Sequence, residues 1–291
     1  MKIIVICGPT GVGKTKMSIS LAKYYNAEII NADSMQIYKE LDIGTAKIRE
    51  EEKDSIPHHL LNIKDVSEDY SVYDYQIDAR GILNKLISEN KNVVIVGGTG
   101  LYIKALLYDY VFEKENNKLE YSNLSNQEIY NKIISIDPNI DVHINNRKRL
   151  ERCLNKLNND KPINDNGDTL LYENVYFIGL TTERKELYEK INNRVDLMFE
   201  EGLVLEVQKL YDKGIQSKAI KTGIGYKELY LYFDGKLSLD EIMELIKKNS
   251  RHYAKRQYTW FNNKMNVKWF DVNFNDFNLT IENVKKYVNS N

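Results

Sequence analysis

Thiols are scarce in this chain: its 291 residues contain two cysteines, Cys7 and Cys153. They fall on different expected elements, so no disulfide framework is implied, and reduced thiols in a cytoplasmic protein fit best. Net charge is small too, at −1. A nucleic-acid partner would therefore have to be met by local basic patches. Long hydrophobic runs are missing. The first run, "IIVIC", is too short for the core of a signal peptide and leads straight into a glycine loop; no later run is long enough to span a membrane. Metal-ligand spacing is lacking as well. His58 and His59 in "IPHHL" have no Cys, Asp or Glu at zinc spacing beside them and read as a loop pair. No internal repeat stands out. What remains is a chain with 42% hydrophobic and 29% charged residues, long enough for one large or two modest globular domains.

The apolar runs it does have are short and continuous. "KIIVIC" (2–7), "AEIIN" (27–31), "NVVIV" (92–96) and "NVYFIGL" (174–180) read as strands covered on both faces by helices. A helix is expected through Thr15–Tyr24, and "LYIKALLYDY" after Gly100 looks helical. Strands alternating with helices imply β-α-β units, hence an α/β fold with a parallel sheet. Between Asp109 and Asn174 the strand signal disappears. Short helical patterns, "NQEIYNKIISI" and "NRKRLERCLNKL", predict a small helical insertion over 109–173, with "NNDKPINDNGD" (158–168) as a mobile loop. Residues 1–108 and 174–291 then form the core. Its second part is mostly helical to Asn262 and ends in a short strand, "VKWFDV" (267–272).

"GPTGVGKT" carries the spacing G-x-x-x-x-G-K-[ST] between a strand and a helix. Gly8, Gly11 and Gly13 let successive N–H groups turn toward one anion, with Pro9, Thr10 and Val12 completing the loop. The helix start adds its positive dipole end, Lys14 a mobile charge, and the Thr15 hydroxyl suits Mg²⁺. An ATPase or kinase usually places an Asp at the end of a second buried strand to hold that ion. Here "VVIVGGTG" ends in glycines and a threonine, and "VYFIGLTT" ends without an acid. Asp33, two residues beyond "AEIIN", is the one acid just past a buried strand. The site holds phosphates without an obvious hydrolytic arrangement, so a diphosphate that leaves intact stands beside ATP as a ligand.

Taken in order, "GPTGVGKT", "NADSMQIYKELDIGTAK", "VGGTGLY" and "KRQYTWF" (255–261) resemble the tRNA dimethylallyltransferase (tRNA isopentenyltransferase) family over most of the chain. The resemblance implies a P-loop NTPase-like parallel sheet flanked by helices, with the insertion as a small helical domain. It implies transfer of a dimethylallyl group from dimethylallyl diphosphate to N6 of the adenosine 3′ of the anticodon. Asp33 is then the base that takes the amine proton, Arg194 in "KINNRVDLMF" neutralises the leaving diphosphate, and Thr99 brings a hydroxyl to the reacting centre. From the residues alone, Thr99 is equally an N-cap for the next helix, Asp33 a turn cap or a group that binds Mg²⁺ through water, and Arg194 an exposed helical cation. "DIGTAK" (42–47) reads as a loop closing over the acceptor base.

Two basic clusters could grip the tRNA anticodon stem-loop. Arg147, Lys148, Arg149 and Arg152 stand in the insertion against Glu151 alone. Arg251, Lys255 and Arg256 interleave with Tyr253, Tyr258 and Trp260. Cations suit phosphates and aromatic faces suit unstacked bases, although charge runs are more often solvated faces and Trp260 could be core. The resemblance extends the contact set to Asp33, Ser34, Met35 and Gln36, to Lys148, Arg149, Leu150, Glu151 and Arg152, to Thr222, Gly223, Ile224, Gly225, Tyr226 and Lys227, and to Lys255, Arg256, Gln257, Tyr258, Thr259, Trp260 and Phe261. The chain departs from the family where His-Pro-Asn-Asp usually precedes the basic run: it has His143-Ile144-Asn145-Asn146, in a shorter insertion. A monomer with Mg²⁺ is expected. The rival readings are an adenylate isopentenyltransferase using free AMP, a small-molecule P-loop kinase, and a nucleotide-dependent RNA-binding module.

Overall fold

Continuous apolar runs do become buried parallel strands. The computed structural model describes residues 1–110, 112, 121–159 and 167–291. In chain order it contains β1 (Ile3–Cys7), α1 (Lys14–Tyr25), β2 (Ala27–Asn31), β3 (His58–His59), α2 (Val72–Ser88), β4 (Asn92–Val96) and α3 (Gly100–Leu107). Then come α4 (Asn126–Ile136), α5 (Arg147–Leu157), β5 (Val175–Thr181), α6 (Arg184–Glu200), α7 (Leu203–Asp212), α8 (Lys218–Thr222), α9 (Tyr226–Phe233), α10 (Leu239–Lys264), β6 (Lys268–Asp271) and α11 (Phe277–Ser290). The chain divides into a unit of residues 1–107 with 172–291 and a unit of residues 108–171.

In the larger unit the strands run in the order β3-β2-β4-β1-β5-β6, every pairing parallel. All five residues of β1 are completely buried, which is why none of them is polar. After β1 the chain crosses β4's place to reach β2, and after β4 it crosses back over β1 to reach β5. Loops leaving β1 and β4 therefore part to opposite sides, and a crevice opens at the strands' carboxyl ends. Among the described residues no helix is long and apolar enough to cross a membrane.

Three elements lie outside the sequence expectations. β3 is two residues long and is defined by its pairing to Ile29 and Ile30. Helix α2 starts at a capping box, in which Ser71 and Asp74 satisfy each other's backbone amides. Helix α11 places Phe277, Ile281, Val284 and Val288 on one buried face against Met17, Leu21 and Ile178. Its first residue lies so close under Gly13 that a Cβ there would come within 2.7 Å of the Phe277 ring.

The smaller unit is a helical pair with its own core of Ile129, Ile133, Val142, Leu150, Cys153 and Leu154. Ser125 and Glu128 cap α4 reciprocally, and Asn146 Oδ1 accepts from the Arg149 amide at the start of α5. Asn146, in the stretch where the chain departs from the resembled pattern, is thus the N-cap of α5. Of the loop expected at 158–168, residues 160–166 lie outside the described residues. Both cysteines are buried and unpaired by disulfides, and burial pushes the Cys7 thiol up to about 12.

Truncating Phe277 to Ala should destabilise the protein by about 3–5 kcal/mol in urea unfolding, the usual cost of emptying a buried aromatic site. A change near zero would show that α11 does not brace the loop above it.

Candidate active site

Gly8, Gly11 and Gly13 take φ values of 134°, 90° and 87°, all in the left-handed half of the map that side chains avoid. That backbone curls over the end of β1 and runs into α1, with fully buried Val12 pinning it to the core. Lys14 Nζ donates to the carbonyls of Gly8 (3.0 Å) and Pro9 (2.8 Å). Burial brings its ammonium down to about 8; neighbouring Arg194 adds to the effect and the Asp33 carboxylate opposes it.

Asp33 lines the same cavity, which has a volume of about 570 Å³ and is lined by Thr10, Gly11, Gly13, Lys14 and Thr15 from the loop. Its backbone is held on both sides. The Asn31 side chain accepts from the Asp33 amide and donates to its carbonyl, each at 3.1 Å. The Thr99 hydroxyl accepts from the Ser34 amide at 3.0 Å. One carboxylate oxygen, Oδ1, accepts from the Met35 amide at 2.9 Å. Oδ2 takes no hydrogen bond among the described residues. Asp33 is therefore both a turn cap and a cavity acid, one oxygen to each role. Thr99 is neither a side-chain cap nor a cavity wall. It stands behind Asp33 and fixes Ser34.

Arg194 reaches in from α6. One guanidinium nitrogen donates to the Thr10 hydroxyl (3.1 Å) and another to the Thr45 carbonyl (3.3 Å). Burial lowers its pKa, again opposed by Asp33. Helix α10 closes the floor. The amide nitrogen of Gln257 donates to the Gly98 carbonyl (3.0 Å) and its oxygen accepts from the Thr10 amide (2.9 Å), tying the β1 and β4 loops together. Tyr253, one turn before Gln257, lines the cavity, and its phenol is pushed up by burial and then by the Asp33 charge.

Several expected partner contacts are internal instead. Tyr226 and Phe261 are fully buried, Gln257 is the buried strut just described, and Leu150 belongs to the helical-pair core. Phe261 and Leu150 face packed interior, whereas Tyr226 and Gln257, though buried, also border the central cavity. Glu151 pairs with Arg147, whose guanidinium also holds the carbonyls of Tyr121 and Leu124, so Arg147 braces the smaller unit. Lys148, Arg149 and Arg152 are exposed on α5, as are Lys255, Arg256, Tyr258 and Thr259 on α10. Trp260 is half-buried and lines a shallow groove of about 580 Å³ with His252, Lys255, Arg256 and Lys264. Ser34, Met35, Gln36, Thr222, Gly223, Ile224, Gly225 and Lys227 line the central cavity.

Thr45 and Ala46, from the 42–47 loop expected to close over a base, line the cavity, and so does Lys190, which the sequence reading did not single out. Lys190 was legible as the cation one helical turn before Arg194. Thr45 contributes its carbonyl, which no residue type announces. His58 Nδ1 lies 2.8 Å from the Ile56 carbonyl, and His59 Nε2 lies 2.7 Å from a Glu28 oxygen.

The profile of the family described as IPP transferase matches residues 36–264. The tRNA dimethylallyltransferase of Anoxybacillus flavithermus is 50% identical over 283 residues, covering 93% of this chain and 90% of that protein. Among solved structures, the full-length tRNA isopentenylpyrophosphate transferase of Bacillus halodurans is 41% identical with a TM-score of 0.76, over 99% of this chain and 97% of that one. A eukaryotic dimethylallyltransferase acting on tRNA is 31% identical with a TM-score of 0.79, over 93% of this chain and 74% of that one.

The Lys14 shift sets a pH dependence. The group is cationic below about 8 and loses its charge as pH rises through that value. Affinity for inorganic diphosphate, measured by calorimetry, should therefore fall by about tenfold between pH 7 and 9 relative to Lys14→Arg, which keeps its charge. A constant ratio between the two proteins across that range would rule out Lys14 as the titrating cation.

Proposed function

The chain belongs to the IPP transferase family of tRNA dimethylallyltransferases, and from that premise we propose how its own residues carry out the reaction. The enzyme is a prenyltransferase that moves a dimethylallyl group from dimethylallyl diphosphate to N6 of the adenosine 3′ of the anticodon in tRNA and releases diphosphate. One observation supports this reading above the others: a carboxylate and the glycine loop with its lysine line one cavity.

An exocyclic adenine amine is a weak nucleophile because its lone pair is delocalised into the ring. In the proposed step N6 attacks C1 of the dimethylallyl group, and the C1–O bond breaks with its electron pair leaving on the diphosphate. The N6 proton passes to Asp33 Oδ2. General-base assistance of this kind contributes about 10²–10⁴-fold, or roughly 3–5 kcal/mol. Loop amides, Lys14 and Arg194 hold the leaving diphosphate. Thr99 acts indirectly, by keeping Ser34 and hence Asp33 in place.

Mg²⁺ fits this site as a partner of the diphosphate. Thr15 offers an exposed hydroxyl at the cavity, and no group of three His, Cys, Asp or Glu side chains converges anywhere among the described residues. Such a donor set suits an ion that keeps several waters and takes most of its ligands from substrate phosphates. When bound, it would neutralise charge on the diphosphate.

The target base must leave the loop stack to reach Asp33, at a cost of a few kcal/mol. In this reading Lys148, Arg149 and Arg152 hold backbone phosphates. Lys148 and Arg149 sit in the first turn of α5, where the helix dipole already carries positive charge, so an incoming phosphate relieves an unfavourable arrangement. Arg256 and the groove beside Trp260 serve the unpaired loop. The reading includes a monomer working in the cytoplasm.

With Mg²⁺ and radiolabelled dimethylallyl diphosphate, the protein should label an anticodon stem-loop carrying adenosine at the target position, and Asp33→Asn should lower that rate by at least about 10²-fold. Label on AMP but never on the stem-loop would establish the free-nucleotide reading; ATP turnover without prenyl transfer would establish a kinase. Replacing Lys148 and Arg149 together by Ala should weaken stem-loop binding and reduce the magnitude of its log–log salt slope by about 1–2. An unchanged slope would remove α5 from the phosphate contacts.

A further inference from the structure

Glu206, in the first turn of α7, makes an unusual set of contacts. Its Oε2 accepts from the amides of Asp42 (3.1 Å) and Ile43 (2.7 Å), and its Oε1 accepts from the amide of Gly44 (3.1 Å) and the Tyr226 hydroxyl (2.6 Å). Three successive N–H groups converging on one anion form the kind of concavity that elsewhere receives a phosphate. Here a side chain of the same chain fills it. The loop is also pressed onto the buried Tyr226 ring, since a Cβ on Gly44 would come within 2.7 Å of it. No larger residue fits there without moving the loop.

The same loop is held from its other side. Lys47, its side chain 3% exposed, donates to the Tyr38 carbonyl, Asp42 Oδ1 and Asn62 Oδ1 at 2.6–2.7 Å. The Thr45 hydroxyl donates to the Leu41 carbonyl at 2.7 Å. Between these anchors, the Thr45 carbonyl points at the cavity and accepts from both Gln36 Nε2 (3.1 Å) and Arg194 (3.3 Å). Arg194 in turn meets Thr10 of the anion cradle.

We infer that Glu206 is a positioning residue: by gripping three amides of the 42–46 loop it sets the Thr45 carbonyl, and through that carbonyl the Arg194 guanidinium, against the diphosphate cradle. The inference rests on the proposed reading of this cavity as a diphosphate site. Its physical basis is charge assistance, because hydrogen bonds to a carboxylate are about twice as strong as neutral ones. Glu206→Gln removes the charge and turns an NH₂ group toward N–H donors.

The probe is inorganic diphosphate with Mg²⁺, measured by calorimetry, so the coupling is read whether or not tRNA is prenylated. Failure of the wild type to label a stem-loop would count against the proposed function alone. Glu206→Gln should weaken diphosphate binding by about tenfold, and Arg194→Ala by at least as much. The double variant should bind no worse than Arg194→Ala alone, because the two substitutions break one chain of contacts. Amide exchange at residues 42–44 should speed up by about tenfold in Glu206→Gln while α7 stays protected. Additive losses, or unchanged exchange with wild-type affinity, would overturn the inference. If Glu206→Gln does not fold, Tyr226→Phe removes one donor from the same carboxylate. It should weaken binding in the same direction only while Arg194 is present; equal losses with and without Arg194 would overturn the inference.

Discussion

Two cations and a carboxylate share one half-dry cavity, and everything else in the site depends on their mutual support. Burial works against the positive charge of both Lys14 and Arg194, and the two also repel each other. The Asp33 charge offsets part of that cost for both. The acid therefore helps keep both neighbouring groups cationic, in addition to the role as base proposed for it. All three groups line one cavity, so their placement decides what can reach them together.

That spacing is the work of the frame. Parallel strands bring the ends of β1, β2 and β4 to one edge of the sheet, and the loops leaving them part there. Gln257 then fixes the separation of two of those loops with one side chain, bonding an amide on one and a carbonyl on the other. The Asn31 side chain and the Thr99 hydroxyl do the same for the Asp33 turn. Several of the polar side chains around the cavity, Lys14, Asp33, Gln36, Arg194 and Gln257 among them, are thus engaged with backbone. The helical pair of residues 108–171 follows a different logic. It has a small core of its own, and its exposed cations belong to one helix face, so its contribution is surface charge.

Much of this was legible in advance where one residue type answers one physical demand. "AEIIN" and "NVVIV" mark their strands to the residue because a strand buried on both faces tolerates little else. The phosphate loop was legible because three positive φ angles call for glycine. Residues 126–136 and 147–157 fold as the helices their periodicity implied. Other features had no such signal. Gln257, Tyr226 and Phe261 sit within or next to basic and aromatic segments that read as binding surface, yet helical geometry turns them inward while Lys255, Arg256 and Tyr258 face out. A short stretch of mixed residues does not reveal which of its faces is covered.

By itself, the sequence determined the strands, the anion loop, the acid beyond β2 and the family, since each follows from local residue type and spacing. Only the tertiary structure decided that Asp33 and Lys14 share a cavity, that Gln257 is a strut, and that Glu206 holds the loop whose carbonyl meets Arg194. Those relations join residues between 19 and 247 positions apart in the chain, and contacts at such separations are set by how the elements pack, which no local pattern encodes.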